Sequence, residues 1–277
     1  MPMRVKERVQ GVLRGLGVYQ RVRYSWWYDL YWGLVDRRFI EDRSKEVLFF
    51  REILQGLEPG SLIFDIGANR GYKTDIFLRL GARVVAVDPD PSNEAVLTDS
   101  FLRWRVRKKP VSVIGKAVSD RNGAAMMWID EPGSGKNTLN TKWVETLRSD
   151  GKRFGQTLQF ADKLQVETTT LEDLMRAHGK PLYVKIDVEG HEPSVLRGMS
   201  FAVPYISFEA NLPEFAAEAA ECIHFLEELA PGAEFNYAPN CRGGMALDKW
   251  VDHGVIRAIV AQCAEPSIEI FCKSPSQ

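Results

Sequence analysis

The stretch that most constrains this chain is Leu62-Ile63-Phe64-Asp65-Ile66-Gly67-Ala68-Asn69-Arg70-Gly71. A short apolar run carries Asp65 near its end. Gly67, Asn69 and Gly71 then fall on alternate positions before a helical pattern begins. Glycine lets a backbone turn tightly and approach a ligand with no Cβ in the way. The start of the following helix offers N–H groups that have no partner within the helix. A pyrophosphate-binding turn would read GxGxxG. Here the glycine spacing differs, and the acid two residues before Gly67 suits a cationic ligand group better than a phosphate. An ordinary strand-to-helix turn that needs glycine is the alternative.

The surrounding pattern sets the fold class. A helix is expected over Lys45–Leu57 with Ser44 as its N-cap, followed by strands at Leu62–Ile66 and Arg83–Val87. Helices are expected from Tyr72 to Leu80 and from Ser92 to Val106, with a third strand at Val111–Val118. After an Asn122-Gly123 turn, Ala124–Ile129 reads as an added strand. The rhythm resumes with a helix at Thr170–His178, capped by Thr170. Strand Tyr183–Val188, helix Glu192–Met199, strand Tyr205–Ala210 and helix Pro213–Leu229 follow. Glu234–Tyr237 and Ser267–Cys272 close the chain as a strand pair. Short apolar strands alternating with helices imply an α/β fold. We expect a doubly wound, mostly parallel Rossmann-like sheet with an antiparallel C-terminal strand pair and a helical N-terminal arm.

Two further clusters carry chemistry. Val84-Val85-Ala86-Val87 runs into Asp88, 17 positions beyond Gly71. In doubly wound folds an acid near this position accepts hydrogen bonds from ribose hydroxyls; a solvated strand end or a helix N-cap is the plain alternative. Pro89 and Pro91 are expected to hold the turn and delay the next helix. The other cluster is Tyr183-Val184-Lys185-Ile186-Asp187-Val188-Glu189-Gly190-His191-Glu192. Strand periodicity puts Lys185 and Asp187 on one face and Val184, Ile186 and Val188 on the other. Asp187 therefore reaches the carboxyl end of the sheet, where open α/β folds bind ligands. Asp187, His191 and Glu189 are the candidate general bases. Lys185 and Glu209 are candidate acceptor-binding groups, and each could instead serve as a buried ion-pair partner. Asp187, Glu189 and His191 could also ligate a divalent metal. The chain turns into a helix there, however, and need not bring them together, so no metal is assigned.

Composition narrows the function classes. Among 277 residues 45% are hydrophobic and 26% charged, with a formal net charge of −1. That balance gives no overall electrostatic drive toward nucleic acid. Cys222, Cys241, Cys263 and Cys272 form no CxxC pair, so neither a zinc knuckle nor a redox dithiol is expected, and reduced thiols in the cytoplasm are. No run approaches the length of a membrane span, and Arg4, Lys6, Arg8 and Arg14 interrupt any signal-peptide core.

Residues 1–44 stand apart. Val5, Val9, Val12, Leu13 and Leu16 recur at helical spacing, and Tyr24, Trp26, Trp27, Tyr28, Tyr31 and Trp32 follow. This arm could pack on the main domain, or residues 1–32 could rest peripherally on an anionic membrane surface. The main domain is assigned to residues 45–277. Within it the polar, glycine-containing stretch 131–165 is long for a connection and is the candidate substrate lid.

The segments Phe64–Gly71, Val87-Asp88-Pro89, Ala117-Val118-Ser119-Asp120 and Lys185–Glu192, with Ser207–Asn211, together resemble the motifs of FkbM-family methyltransferases, in the right order. The resemblance spans about residues 60–212. It implies an S-adenosylmethionine-dependent enzyme that methylates a hydroxyl of a sugar, glycan or related natural product. Asp65, Gly67, Ala68, Asn69 and Gly71 would then line the methionine and ribose side. Asp88 with Pro89 would sit at the ribose, and Ala117 with Val118 would flank the adenine. Asp187 would face the cofactor's methionine end or the acceptor. The implied partner is a small-molecule or glycan acceptor and not a nucleic acid; a homo-oligomer is compatible. A nicotinamide-dependent oxidoreductase, a nucleic-acid methyltransferase and a non-catalytic cofactor-binding module remain the rival readings.

Overall fold

The computed structural model describes residues 37–103, 109–149 and 158–275. The amphipathic and aromatic segment 1–32 lies outside them. Helix α1 (Arg37–Ile53) precedes β1 (Leu62–Ile66), α2 (Tyr72–Arg79), β2 (Arg83–Val87), α3 (Pro91–Thr98) and β3 (Val111–Ile114). Then come β4 (Ala117–Val118), β5 (Gly123–Ile129), α4 (Thr141–Ser149), β6 (Asp162–Thr169), α5 (Leu171–His178) and β7 (Tyr183–Ile186). The chain ends with α6 (Glu192–Arg197), β8 (Tyr205–Asn211), α7 (Ala216–Leu229), β9 (Glu234–Ala238), α8 (His253–Gln262) and β10 (Ser267–Lys273).

Seven strands form one sheet in the order β3-β2-β1-β7-β8-β10-β9. β1 pairs in parallel with β2 and β7, and β7 with β8. β10 alone runs antiparallel, between β8 and β9. Strand alternation feeds two cores. Phe64, Ile66, Val85, Val87, Val184 and Ile186 face one side, where α5–α8 cover them. Ile63, Val84 and Tyr183 face the other, against Phe49 and Phe50 of α1 and Ile76 and Phe77 of α2. Phe50 meets Phe77 and Tyr183 with ring centroids 5.1 and 5.8 Å apart. Such aromatic pairs add about 0.5–1.5 kcal/mol beyond the area they bury.

Several elements differ from the expectations above. α1 begins at Arg37 rather than Lys45, so Ser44 lies inside it and bonds the Ile40 carbonyl instead of capping. Pro91 opens α3 rather than delaying it, because Asp90 caps the helix through Ser92 N and proline fits the first helical turn. The expected strand Val111–Val118 is two pieces. Its second piece, β4, joins a separate three-stranded sheet β4-β6-β5. The stretch 131–165 is not a continuous loop: it holds α4, whose Trp143, Val144 and Leu147 are buried, and the start of β6. No helix among the described residues is long and apolar enough to cross a membrane.

Candidate active site

The carboxyl ends of β1, β2 and β7 open into a cavity of about 590 Å³. On one side of β1 its wall comes from the β2–β4 region; on the other it comes from the turn after β7.

Asp65 stands at the centre. It is fully buried, and its Oδ2 accepts a 2.6 Å bond from Thr74 Oγ1 while Oδ1 has no hydrogen-bond partner among the described residues. Burial raises its pKa, with Lys185, its register partner on β7, opposing the shift. A buried carboxylate oxygen left unpaired costs free energy unless a donor or cation reaches it. The turn that follows is fixed by backbone bonds. Gly67 and Ala68 N–H both donate to the Val87 carbonyl, at 2.9 and 3.0 Å, and Asn69 takes a left-handed φ of 48°. Gly67 has φ 78°, and a Cβ there would lie 1.7 Å from the Asp187 carbonyl oxygen. Gly71 does not line the cavity; its backbone packs against Phe101 and Leu97 beside the start of α2.

Asp88 anchors the loop that follows β2. Its Oδ2 accepts from Asn69 N at 2.8 Å, and its Oδ1 from Asp90 N and Asn93 Nδ2, both at 3.0 Å. Burial lifts its pKa to about 6, against those three hydrogen bonds. Pro89, Ala117 and Val118 line the same cavity, joined by Met127 and Leu139. That apolar wall is suited to a flat ring.

Across β1 the chemistry turns acidic. Asp187, Glu189 and Glu209 present carboxylate oxygens within 4.8 Å of one another. Lys185 is fully buried, and its Nζ donates to Asp187 Oδ2 at 2.8 Å. The ammonium, which also borders the cavity, holds the Asp187 pKa below the carboxylate range despite burial. Glu189 goes the other way. Burial first, then Glu209 and Asp187, push it well above its ordinary value. Glu209 is pushed up to about 8, chiefly by burial and the Asp187 charge. It lies behind the cavity wall, accepting from Ser267 Oγ at 2.7 Å. Among the described residues these three acids, and not His191, are the set that could face one cation.

His191 lines the cavity at the N-cap position of α6. Its Nε2 is 3.1 Å from Ser119 Oγ, which in turn lies 3.2 Å from Asp120 Oδ1. With Ser119 donating to Asp120, Nε2 carries the proton and Nδ1 is the basic nitrogen. Burial lowers the His191 pKa, so the ring is neutral at pH 7. Residues that sequence reasoning missed include Asn93, Arg70 and Asp90. Asp90-Pro91-Ser92 is a helix-start pattern and could have been read as one.

A family model described as the methyltransferase FkbM domain matches residues 65–239, well over half of the chain. The chain belongs to the FkbM methyltransferase family. No curated protein matches it in sequence. Solved structures similar to it include a precorrin-6y C5,15-methyltransferase from Geobacter metallireducens (12% identity, 84% of this chain and 88% of that one, TM-score 0.40). Others are a TehB-like methyltransferase from Corynebacterium glutamicum (10%, 83% and 88%, 0.41) and a plantazolicin methyltransferase in complex with a triazolic desmethylPZN analog and SAH (10%, 96% and 100%, 0.39). The enzyme is an S-adenosylmethionine-dependent methyltransferase. The cavity's residues fit that cofactor: Asp65 Oδ1 offers an unpaired buried carboxylate oxygen to a cationic amino group, and Ala117, Val118 and Met127 offer apolar surface.

Proposed function

We propose that the chain methylates a hydroxyl group of a sugar, glycan or related natural product, with the cofactor against Asp65, Asp88, Ala117 and Val118 and the acceptor against the turn after β7. The observation that carries this reading is the acidic group Asp187–Glu189–Glu209 beside neutral His191, on the opposite side of β1 from the ribose loop. Hydroxyl-rich acceptors are held by carboxylates, and a hydroxyl must lose its proton as its oxygen is alkylated.

Bound S-adenosylmethionine supplies an electrophilic methyl carbon on a cationic sulfur. The chain's own residues do the rest. Asp187, kept ionised by Lys185, accepts a hydrogen bond from the acceptor hydroxyl and aims its oxygen. Holding the reacting oxygen at near-attack distance supplies much of the rate. The proton passes to ionised Asp187 or to Nδ1 of neutral His191, because burial keeps Glu189 and Glu209 toward their protonated forms. Desolvation by the cavity walls strengthens these interactions.

The test is methyl transfer from methyl-deuterated S-adenosylmethionine to a panel of neutral sugars, amino sugars, phenols and peptides, read by mass spectrometry. An O-methylated sugar is expected. Transfer to nitrogen or carbon alone, or to peptides alone, would replace the hydroxyl reading.

A further inference from the structure

We propose that residues 131–140 form a strap joining the cofactor side of the cavity to the acceptor side, and that Thr138 and Asn140 are positioning residues for the carboxylate of Glu189. The proposal rests on the reading above, in which the cofactor sits by Asp88 and the acceptor by Glu189.

At one end the strap is tied to Asp90, the residue that caps α3 just beyond the ribose loop. Gly133 N and Asn137 Nδ2 both donate to Asp90 Oδ2, at 2.6 and 2.8 Å. Asp90 is itself buried, and its backbone N–H reaches Asp88. At the other end Thr138 Oγ1 donates to the Glu189 carbonyl at 2.8 Å, and Asn140 Nδ2 donates to the Gly190 carbonyl.

Between the two ends the segment is stiff. Asn137 Oδ1 accepts from Asp130 N at 2.9 Å, and Thr138 Oγ1 accepts from Asn140 N at 2.9 Å. Thr138 also pairs with Trp128 of β5 through two backbone bonds. Glu131, Ser134, Lys136 and Leu139 line the cavity along the way. Asp90 follows β2 and Glu189 follows β7, with β1 between those strands. The strap crosses that gap in one direct connection.

The far end matters because of the backbone it holds. Glu189 has φ 55°, a left-handed conformation that a residue with a Cβ keeps only when its surroundings fix it. Two groups of contacts do so. Glu192 Oε1 accepts from Val188 N and Gly190 N, at 3.0 and 3.3 Å. Thr138 and Asn140 take the two carbonyls. Half of what holds this turn therefore comes from the strap, and the direction of the Glu189 side chain follows the turn. A ligand that settles the Asp88–Asp90 loop settles the strap, and through it Glu189. Cofactor binding would in this way prepare the acceptor site.

Hydrogen exchange of the full chain, with and without saturating S-adenosylhomocysteine, tests the proposal in the unaltered protein and in Asn137→Ala, Thr138→Val and Thr138→Ser. In the unaltered protein the ligand should slow exchange over residues 65–71, 87–93 and 188–192. Thr138→Val and Asn137→Ala should keep the slowing in the first two segments and lose at least five-fold of it over 188–192. Thr138→Ser, which keeps the hydroxyl, should restore it. Unchanged slowing over 188–192 in both Thr138→Val and Asn137→Ala, or its absence in the unaltered protein while the first two segments respond, overturns the strap. No slowing anywhere overturns the cofactor placement on which the strap depends.

Discussion

Lys185 and Asp187, two residues apart at the end of β7, form a 2.8 Å ion pair in which the ammonium is fully buried while about a third of the carboxylate side chain stays accessible from the cavity. In the proposed reading the accessible partner meets the acceptor and the buried ammonium keeps it charged. We therefore predict that Lys185→Met damages the site by removing the charge that keeps Asp187 ionised. It should destabilise the fold by about 3 kcal/mol, the low end for breaking a buried pair, since Asp187 can still reach water. Urea denaturation at pH 7 measures this; a midpoint equal to that of the unaltered protein would remove the pair from the stability account.

The raised carboxyl groups predict an unusual pH response. Glu209 is pushed up to about 8 and Glu192 to about 7, from 4.5 in each case, mainly by burial. In the window between the unfolded and folded values the native state binds more protons than the unfolded chain, so stability falls as pH rises. A single such group contributes at most about 1.4 kcal/mol per pH unit, less where the site is partly open to solvent. Between pH 6 and pH 8 the ligand-free protein should lose stability, and Glu209→Gln should flatten that slope. A Glu209→Gln variant with an undiminished slope would show that Glu209 is ionised in the fold across the whole window.

Gly67 and Gly56 share φ 78° but differ in surroundings: a Cβ meets the Asp187 carbonyl at 1.7 Å in one case and nothing within 4 Å in the other. Alanine at position 56 should cost only the left-handed penalty of about 1–2 kcal/mol. Alanine at position 67 adds an overlap with backbone, of about 1–3 kcal/mol or more, and should also abolish cofactor binding. Thermal unfolding of the two variants side by side gives the comparison, and equal losses would contradict the close approach of the two turns.

Asp88 holds the Asn69 amide, Asp90 amide and Asn93 side chain together. Its replacement by alanine should loosen the cofactor loop as well as remove a ribose acceptor. We expect S-adenosylhomocysteine to bind at least tenfold more weakly, a loss of about 1.4 kcal/mol, by calorimetric titration. Affinity within twofold of the unaltered protein would place the ribose elsewhere.

The strands β1 and β2 could be read from sequence because both are short apolar runs closed by glycine or proline turns. Asp65, Asp88 and Asp187 were legible as acids at the ends of such strands. β6 was not. Its Leu164 and Val166 alternate with Lys163, Gln165 and Glu167, and in a small, partly exposed sheet that pattern carries too little apolar signal to separate it from a loop. The third strand was overextended because nothing local marks Gly115 as a break. A Cβ there would sit 2.3 Å from the Glu94 carboxylate, a contact made only in the folded chain. The company Glu209 keeps with Asp187 and Glu189 follows from β8 lying beside β7, and the Asp90 strap joins residues more than forty positions apart. Periodicity does not report such pairings.

The family-matched segment, residues 65–239, is not a portable unit. α1 and β10 lie beyond its two ends, yet β10 is the strand that joins β8 to β9 in the sheet. Phe49 and Phe50 of α1 meet Phe271 of β10 over the same face of the sheet. Glu46 of α1 also receives Tyr72 and Lys73 from the cavity wall and Arg242 from beyond β9. Excision at the family boundaries would strip β9 from the sheet and leave a large aromatic surface open to water, an invitation to aggregate. Expression boundaries and domain grafts should therefore keep α1 through β10 together.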